Sequence, residues 1–433
     1  MKRKSIVFWT KTIEYLSYLF IFLLPWQTKL ILRSAATNFN EISLYASQVV
    51  LILVLVAFFI YKFRRREATE KISWLWIFLA GLEICVLASF FWAPDQVLAF
   101  YHYILFLAAI GLFYLLREGI SDSEYEEGML DKTKVIFTFL GSLFFQSVLA
   151  VYQFLTQSTP VNKYLGLAGH PADVAGTSVI EAVSGRWLRA YGGMDHPNVF
   201  GGVLAVTLVL AVYLLARKKI ISSRREIAES IFLFVFYFVS LFALFFTFSR
   251  AAWLAFALSL LLLLIIFLVQ KDRWVIGRFL ALLFFSAVML FIAAAPYREL
   301  CLARISGETR LERQSIDERE RYLLQSREII KNNWLTGVGV GNYPTTLEHQ
   351  DLEKKAIWEY QPVHNVFLLL WAESGIFALI FFVGFLLILI KKDRRTVFAG
   401  SFLIALLILM LFDHWLISLP FGIIFLFLVL GLV

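Results

Sequence analysis

The sequence predicts an all-α, polytopic membrane protein with about twelve transmembrane helices. Three observations predict it. Of 433 residues, 60% are apolar, 17% aromatic and only 17% charged, with a mean hydropathy of +0.76; a soluble domain, at about 45–50% apolar and about 25% charged, has no core large enough to hide that excess. Apolar stretches of about 17–25 residues, bounded by charge or turn residues, recur along the whole chain. Basic residues are shared unevenly between alternate connections, as orientation in a membrane requires.

The same arithmetic excludes other classes. Disorder needs low hydrophobicity, and a disulfide scaffold needs dense cysteine, whereas this chain has two, Cys85 and Cys301. The net charge of +8 is topogenic rather than a sign of nucleic acid, which is not an expected partner.

In order, the expected spans are 12–32, 41–61, 72–92, 97–116, 135–156, 198–216, 229–248, 251–269, 278–296, 364–390, 397–413 and 417–433. The first follows Met-Lys-Arg-Lys with no small-residue cleavage site close behind, so it reads as an uncleaved anchor. With the N-terminus in the cytoplasm, 24 of the 40 Lys and Arg residues fall inside, including Arg64-Arg65-Arg66, Arg217-Lys218-Lys219 and Lys391-Lys392-Asp393-Arg394-Arg395. Both termini are then cytoplasmic. No repeat or separable soluble domain interrupts 1–433, which reads as one integral membrane domain with two long external loops, 157–198 and 297–363.

The larger loop carries ten basic and eleven acidic residues. It reads as helical between Glu308 and Asn332, with Ile316, Leu323 and Ile330 on one side. Arg319 lies on that side and Arg321 points away. A second helical stretch is expected from Thr346 to Tyr360.

Candidate chemistry gathers at the external ends of spans. The run Gly185-Arg186-Trp187-Leu188-Arg189 followed by Asp195-His196-Pro197-Asn198 brings two arginines and a histidine to a loop end; arginine's planar fork suits phosphate, while His196 and Asn198 equally suit a helix cap. Arg250, in Phe248-Ser249-Arg250-Ala251-Ala252-Trp253, is a lone cation in a tight hairpin that either snorkels or meets an anion. The run Gly337-Val338-Gly339-Val340-Gly341-Asn342-Tyr343 follows no strand, so it is no dinucleotide loop but a helix-ending turn whose amides could face an anion. His364-Asn365 opens the tenth span, and histidine is suited to accept a proton near neutral pH. Glu373 is nine residues on, about 900° of helical rotation and thus on the opposite face; it and Glu83 are assigned to interhelical packing. Asp413-His414 closes the eleventh span as site support or a plain helix end. With no His-x-x-x-His, clustered cysteine or Asp-x-Asp pair in the external loops, no metal and no cofactor are expected.

Taken together, Arg189 with Asp195-His196-Pro197-Asn198, Ser249-Arg250-Ala251-Ala252-Trp253, the glycine-rich run, His364-Asn365 with Glu373-Ser374-Gly375, and Asp413-His414 resemble the O-antigen ligase and O-antigen polymerase superfamily, over roughly 185–415. The resemblance implies a bacterial inner-membrane glycosyltransferase of the GT-C type, moving a glycan from an undecaprenyl-pyrophosphate carrier to an acceptor glycan or lipid A core on the external (periplasmic) face. It also implies His364 as the base, Arg250, Arg189 and Arg319 (or else Arg321) as pyrophosphate ligands, and Asn365, Arg186, His196, Tyr343, Asp413 and His414 as support. Ligase and polymerase share these motifs. A transporter of lipid-linked sugars is the alternative of another class, disfavoured because the cations gather on one face without a half-repeat.

Overall fold

The computed structural model describes residues 3–35, 37, 39–65, 73–120, 128–218, 223–351, 359–392 and 397–433. Residues 352–358 of the expected second loop helix lie outside this set, as do Arg66, Lys219 and 393–396 of the basic clusters. Among the described residues, structure is overwhelmingly helical, with two short antiparallel hairpins. Nine helical segments among these residues are long and apolar enough to cross a membrane, which makes this a multi-pass membrane protein. The chain divides into two compact units.

The first unit takes 1–139, 319–393 and 410–433. It holds α1 (Arg3–Leu23), β1 (Lys29–Arg33), β2 (Ile42–Tyr45), α2 (Ala46–Arg65), α3 (Trp74–Ser89) and α4 (Gln96–Gly119). The expected first span, 12–32, is corrected. Its helix lies earlier and ends at Leu23, just before Pro25, and Lys29–Arg33 instead pairs as a strand with Ile42–Tyr45. Helix–helix contact here uses small residues against aromatic rings: Gly81 of α3 faces the ring of Phe381, and Gly384 faces that of Phe78. In hydrocarbon, where burial gives helices little drive to associate, such close approach supplies the packing attraction. Phe113, Phe385 and Phe427 form an aromatic cluster with centroids 5.4 to 6.4 Å apart.

α11 (Arg310–Asn333), α12 (Tyr343–Gln350), α13 (Val366–Lys392), α15 (Trp415–Ser418) and α16 (Pro420–Leu432) complete this unit from Arg319 onward. α13 is broken at Gly375, whose backbone is left-handed (φ 80°). A break inside a span frees carbonyls that must find donors. The glycine-rich turn supplies them: Val338 N–H donates to Ala372 O and Gly339 N–H to Glu373 O, both at 2.9 Å, while Ile376 N–H donates back to Trp334 O at 3.0 Å. Gly337 (φ 71°) and Gly375 lie so close to the opposing backbone that neither has room for a Cβ.

The second unit takes 140–318 and 394–409. It contains most of α5 (Lys132–Thr156), the hairpin β3 (Val179–Ala182) and β4 (Gly185–Leu188), α6 (Pro197–Arg217), α7 (Arg224–Phe246), α8 (Arg250–Gln270), α9 (Arg273–Ala294), α10 (Arg298–Ser306) and the start of α11. α6 is buried nearly throughout and packs on α7, α8 and α9. α14 (Val397–Phe412) divides between the two units.

Candidate active site

In the second unit, the segment carrying Arg189 is pinned from α5 by two buried glutamines. Gln153 donates to Gly192 O and accepts from Tyr191 N, and Gln146 accepts from Gly193 N at 2.6 Å. These bonds satisfy backbone that would otherwise be orphaned beside apolar helices. Ala190 N–H donates to Phe246 O at 3.0 Å, fixing the segment to the α7–α8 turn. Gly201 of α6 lets that turn approach, because a Cβ there would meet Thr247 Oγ1 at 2.9 Å.

The turn is strained. Phe248 has φ 47°, a conformation that a bulky residue adopts at a cost of about 1–3 kcal/mol and that concentrates at functional sites. Its carbonyl and its neighbour's both receive arginines: Arg189 Nε donates to Thr247 O at 2.7 Å and Arg304 Nε to Phe248 O at 2.8 Å. Arg189 also donates to Asn198 Oδ1 at 2.7 Å. Arg304 pairs with Glu312, and Arg250 lies 3.3 Å from the same carboxylate. Burial, and after it the neighbouring Arg304 charge, push the Arg189 guanidinium well below its ordinary value; Tyr191 and Glu312 oppose that shift and Arg250 adds to it. Two guanidiniums, those of Arg304 and Arg250, therefore share one carboxylate, and the buried Arg189 charge lies near enough to feel all three.

Arg304 and Glu312 were not among the expected site residues. They sit in a segment crowded with charge of both signs, where nothing in spacing marks them. His196 caps α6, its Nδ1 accepting from Asn198 N–H at 3.1 Å while Nε2 meets Ser178 Oγ at 2.8 Å. Arg186 lies exposed on β4, within the outer hairpin rather than with Arg189.

In the first unit the other candidates converge on His364, just before α13. Its ring meets that of His414 edge-on (centroids 4.8 Å, 87°) and stacks on Tyr322 of α11 (5.6 Å, 3°). Asn365 caps α13, accepting from Leu368 N–H and donating to Leu411 O. Asp413 Oδ1 accepts from His414 N–H at 2.8 Å, and His414 Nδ1 meets Ser418 Oγ at 2.7 Å. His414 is lowered to about 3, mainly by burial and then by His364 and Arg319, with Asp413 opposing. His414 is thus neutral near pH 7, and Arg319 places its charge on this group of side chains.

The seam expected on α11 is corrected. Ile316 and Leu323 are half exposed, and the packed face runs through Tyr322, Ser326 and Ile329, with Ile330 shared. Polar and aromatic groups hold this helix, so counting only aliphatic residues shifts the stripe. Arg321 is turned to Glu359, 3.3 Å away, rather than to His364.

Glu373 is corrected as well. Its carboxylate accepts from Tyr343 N–H at 3.2 Å, with Gly341 N–H also directed at it. The group faced by the glycine-rich turn is the chain's own carboxyl, and Tyr343 is buried behind it. Asn342 ties the same turn to the start of α4 by accepting from Asp95 N–H at 2.8 Å.

His364, Asp413 and His414 bring ligand atoms within 4.8 Å of one another, a set of the kind that can hold a metal ion. Forty-nine positions separate His364 from Asp413, so spacing does not reveal the group. The charge of Arg319 opposes a cation there.

No curated protein matches the chain. Residues 233–383, which contain Arg250, Arg304, Glu312, Arg319, the glycine-rich turn, His364 and Glu373, match the O-antigen ligase family. That match supports the resemblance of this region to the O-antigen ligase and polymerase superfamily.

Proposed function

We propose that this protein transfers a glycan from an undecaprenyl-pyrophosphate carrier to an acceptor sugar hydroxyl at the external face of the bacterial inner membrane. In this reading the nine apolar segments are joined by α1, α14 and α16 to give twelve crossings, with both termini cytoplasmic, as the Lys and Arg distribution supports. The observation that carries the proposal is the arginine cluster: Arg304 and Arg250 on the Glu312 carboxylate and Arg189 bonded to the same α7–α8 turn, in a membrane-embedded frame that resembles this family.

His364 takes the proton of the acceptor hydroxyl as its oxygen attacks the anomeric carbon. The bond from that carbon to the phosphate oxygen breaks, and the electron pair leaves on the polyprenyl diphosphate. In-line attack inverts the anomeric centre. The family resemblance implies Arg250, Arg189 and Arg319 as the groups that stabilise the developing charge, which is stabilisation specific to the transition state and needs no covalent nucleophile or metal. His414, held neutral, and Asp413 orient the imidazole of His364.

Arg250→Ala tests this reading. Transfer from a polyprenyl-diphosphate glycan by the purified variant should fall by about 10²-fold or more. Full transfer by a normally folded variant would remove the arginines from the reaction. Ligase and polymerase activities are distinguished by the glycans of a deletion strain: unattached full-length polymer marks a ligase, and single units without ladders mark a polymerase.

A further inference from the structure

Glu312 is the one acidic side chain at the arginine cluster among the described contacts, and its two oxygens are used unequally. One is held by Arg304, a pair buried on both sides, and Arg304 is anchored a second time through Phe248 O. The other, Oε2, lies 3.3 Å from Arg250 but makes no hydrogen bond of good geometry among the described residues, although Glu312 is 3% exposed. Arg250 itself keeps a third of its side-chain surface open. The carboxylate therefore has a fixed arm, Arg304, and an exchangeable arm, Arg250.

We propose that Glu312 is a specificity-determining residue that occupies Arg250 until a diphosphate displaces it, and so keeps singly charged phosphodiester headgroups out of the site. The inference rests on reading Arg250 as a diphosphate ligand. A membrane presents phosphodiester headgroups in great excess over any lipid-linked glycan. Three arginines with no internal carboxylate would take a monoanionic headgroup readily. With Glu312 present the cluster carries two net positive charges, matched by the two negative charges of a diphosphate diester. Glu312 repels both anions, so the discrimination lies in the exchange: a monoanion replaces the Glu312 contact of Arg250 one for one with no net gain, whereas a dianion bridges Arg250 and its neighbours, gains a second contact and still leaves Arg304 paired. No bond is made or broken in this exchange; Arg250 changes partner.

The test is binding to the full-length protein in detergent, with the methyl ester of geranyl diphosphate, a dianionic diester, and short-chain phosphatidylglycerol as probes. Glu312→Gln should bind phosphatidylglycerol about tenfold more tightly than wild type does. Glu312→Asp, whose shorter arm withdraws from Arg250, should show a smaller gain, and it serves if the glutamine variant fails to fold. Phosphatidylglycerol affinity that is unchanged or weaker in the folded variants overturns the proposal. Arg250→Ala separates the two readings: if it binds the diphosphate diester as well as wild type does, Arg250 is no diphosphate ligand and the proposed function is what fails. If it loses that binding while the Glu312 variants keep wild-type phosphatidylglycerol affinity, only the role of Glu312 fails.

Discussion

Tyr322 lies flat against His364, their rings 5.6 Å apart and 3° from parallel, so a helix that reads as a charged surface element carries one wall of the imidazole's site. A parallel stack contributes about 0.5–1.5 kcal/mol and fixes the ring plane. Tyr322→Phe preserves the stack and should keep transfer within about twofold of wild type, whereas Tyr322→Ala should lower kcat about tenfold with little change in donor KM, because it frees the base without touching the leaving group. Equal kinetics for the two variants would remove Tyr322 from the positioning of His364.

The glycine-rich turn has a mechanical consequence. Gly337 has φ 71° and no space for a Cβ against the backbone of Glu373 and Ser374. Gly337→Ala should therefore cost about 2–4 kcal/mol, combining left-handed strain with a clash against main chain that cannot yield. Gly400, where a Cβ meets open space, is the control, and Gly400→Ala should leave the melting temperature in detergent near wild type. Comparable melting temperatures for the two variants would contradict the described docking of the turn into the break of α13.

Acid should loosen the surroundings of His414. Its folded-state value is lowered from 6.5 to about 3, with Arg319, His364 and Asp413 facing it. Between those values the unfolded chain binds a proton that the folded chain does not, so this contribution to stability is intact above about pH 6.5 and falls progressively down to about pH 3. His414→Gln, which cannot protonate, should flatten the melting temperature between pH 7 and pH 4. An identical pH slope in wild type and variant would show that His414 titrates normally.

Chelation bears on the His364, Asp413 and His414 group. If these side chains work as a base and its support, beside the positive charge of Arg319, treatment with EDTA should leave transfer unchanged. Loss of activity restored by a divalent cation would convert the same group into a metal site.

Much of the frame is legible in the sequence because apolar length alone marks a span: 97–116, 198–216 and 251–269 differ from α4, α6 and α8 by a few residues at each end. α1 is displaced because apolar content continues past Pro25 into a strand, and hydropathy does not distinguish the two. The role of Glu373 is hidden because helical rotation locates side chains relative to each other, while its partners are backbone amides of a distant turn. Arg250 stands out as a lone cation in a tight hairpin, and Arg189 as one of two arginines closing a long loop. Arg304, Glu312 and Tyr322 do not, since a segment rich in both charges offers no contrast, and only folding shows which of its residues turn inward.

In the proposed reaction His364 acts on the acceptor hydroxyl and not on donor binding. This role is tested most directly by single-turnover transfer from a polyprenyl-diphosphate glycan with purified His364→Ala, alongside binding of geranyl diphosphate to the same sample. The expected result is a transfer rate reduced by about 10²–10⁴-fold with diphosphate affinity within about threefold of wild type. Transfer at the wild-type rate, or a loss explained entirely by weaker diphosphate binding, would contradict it.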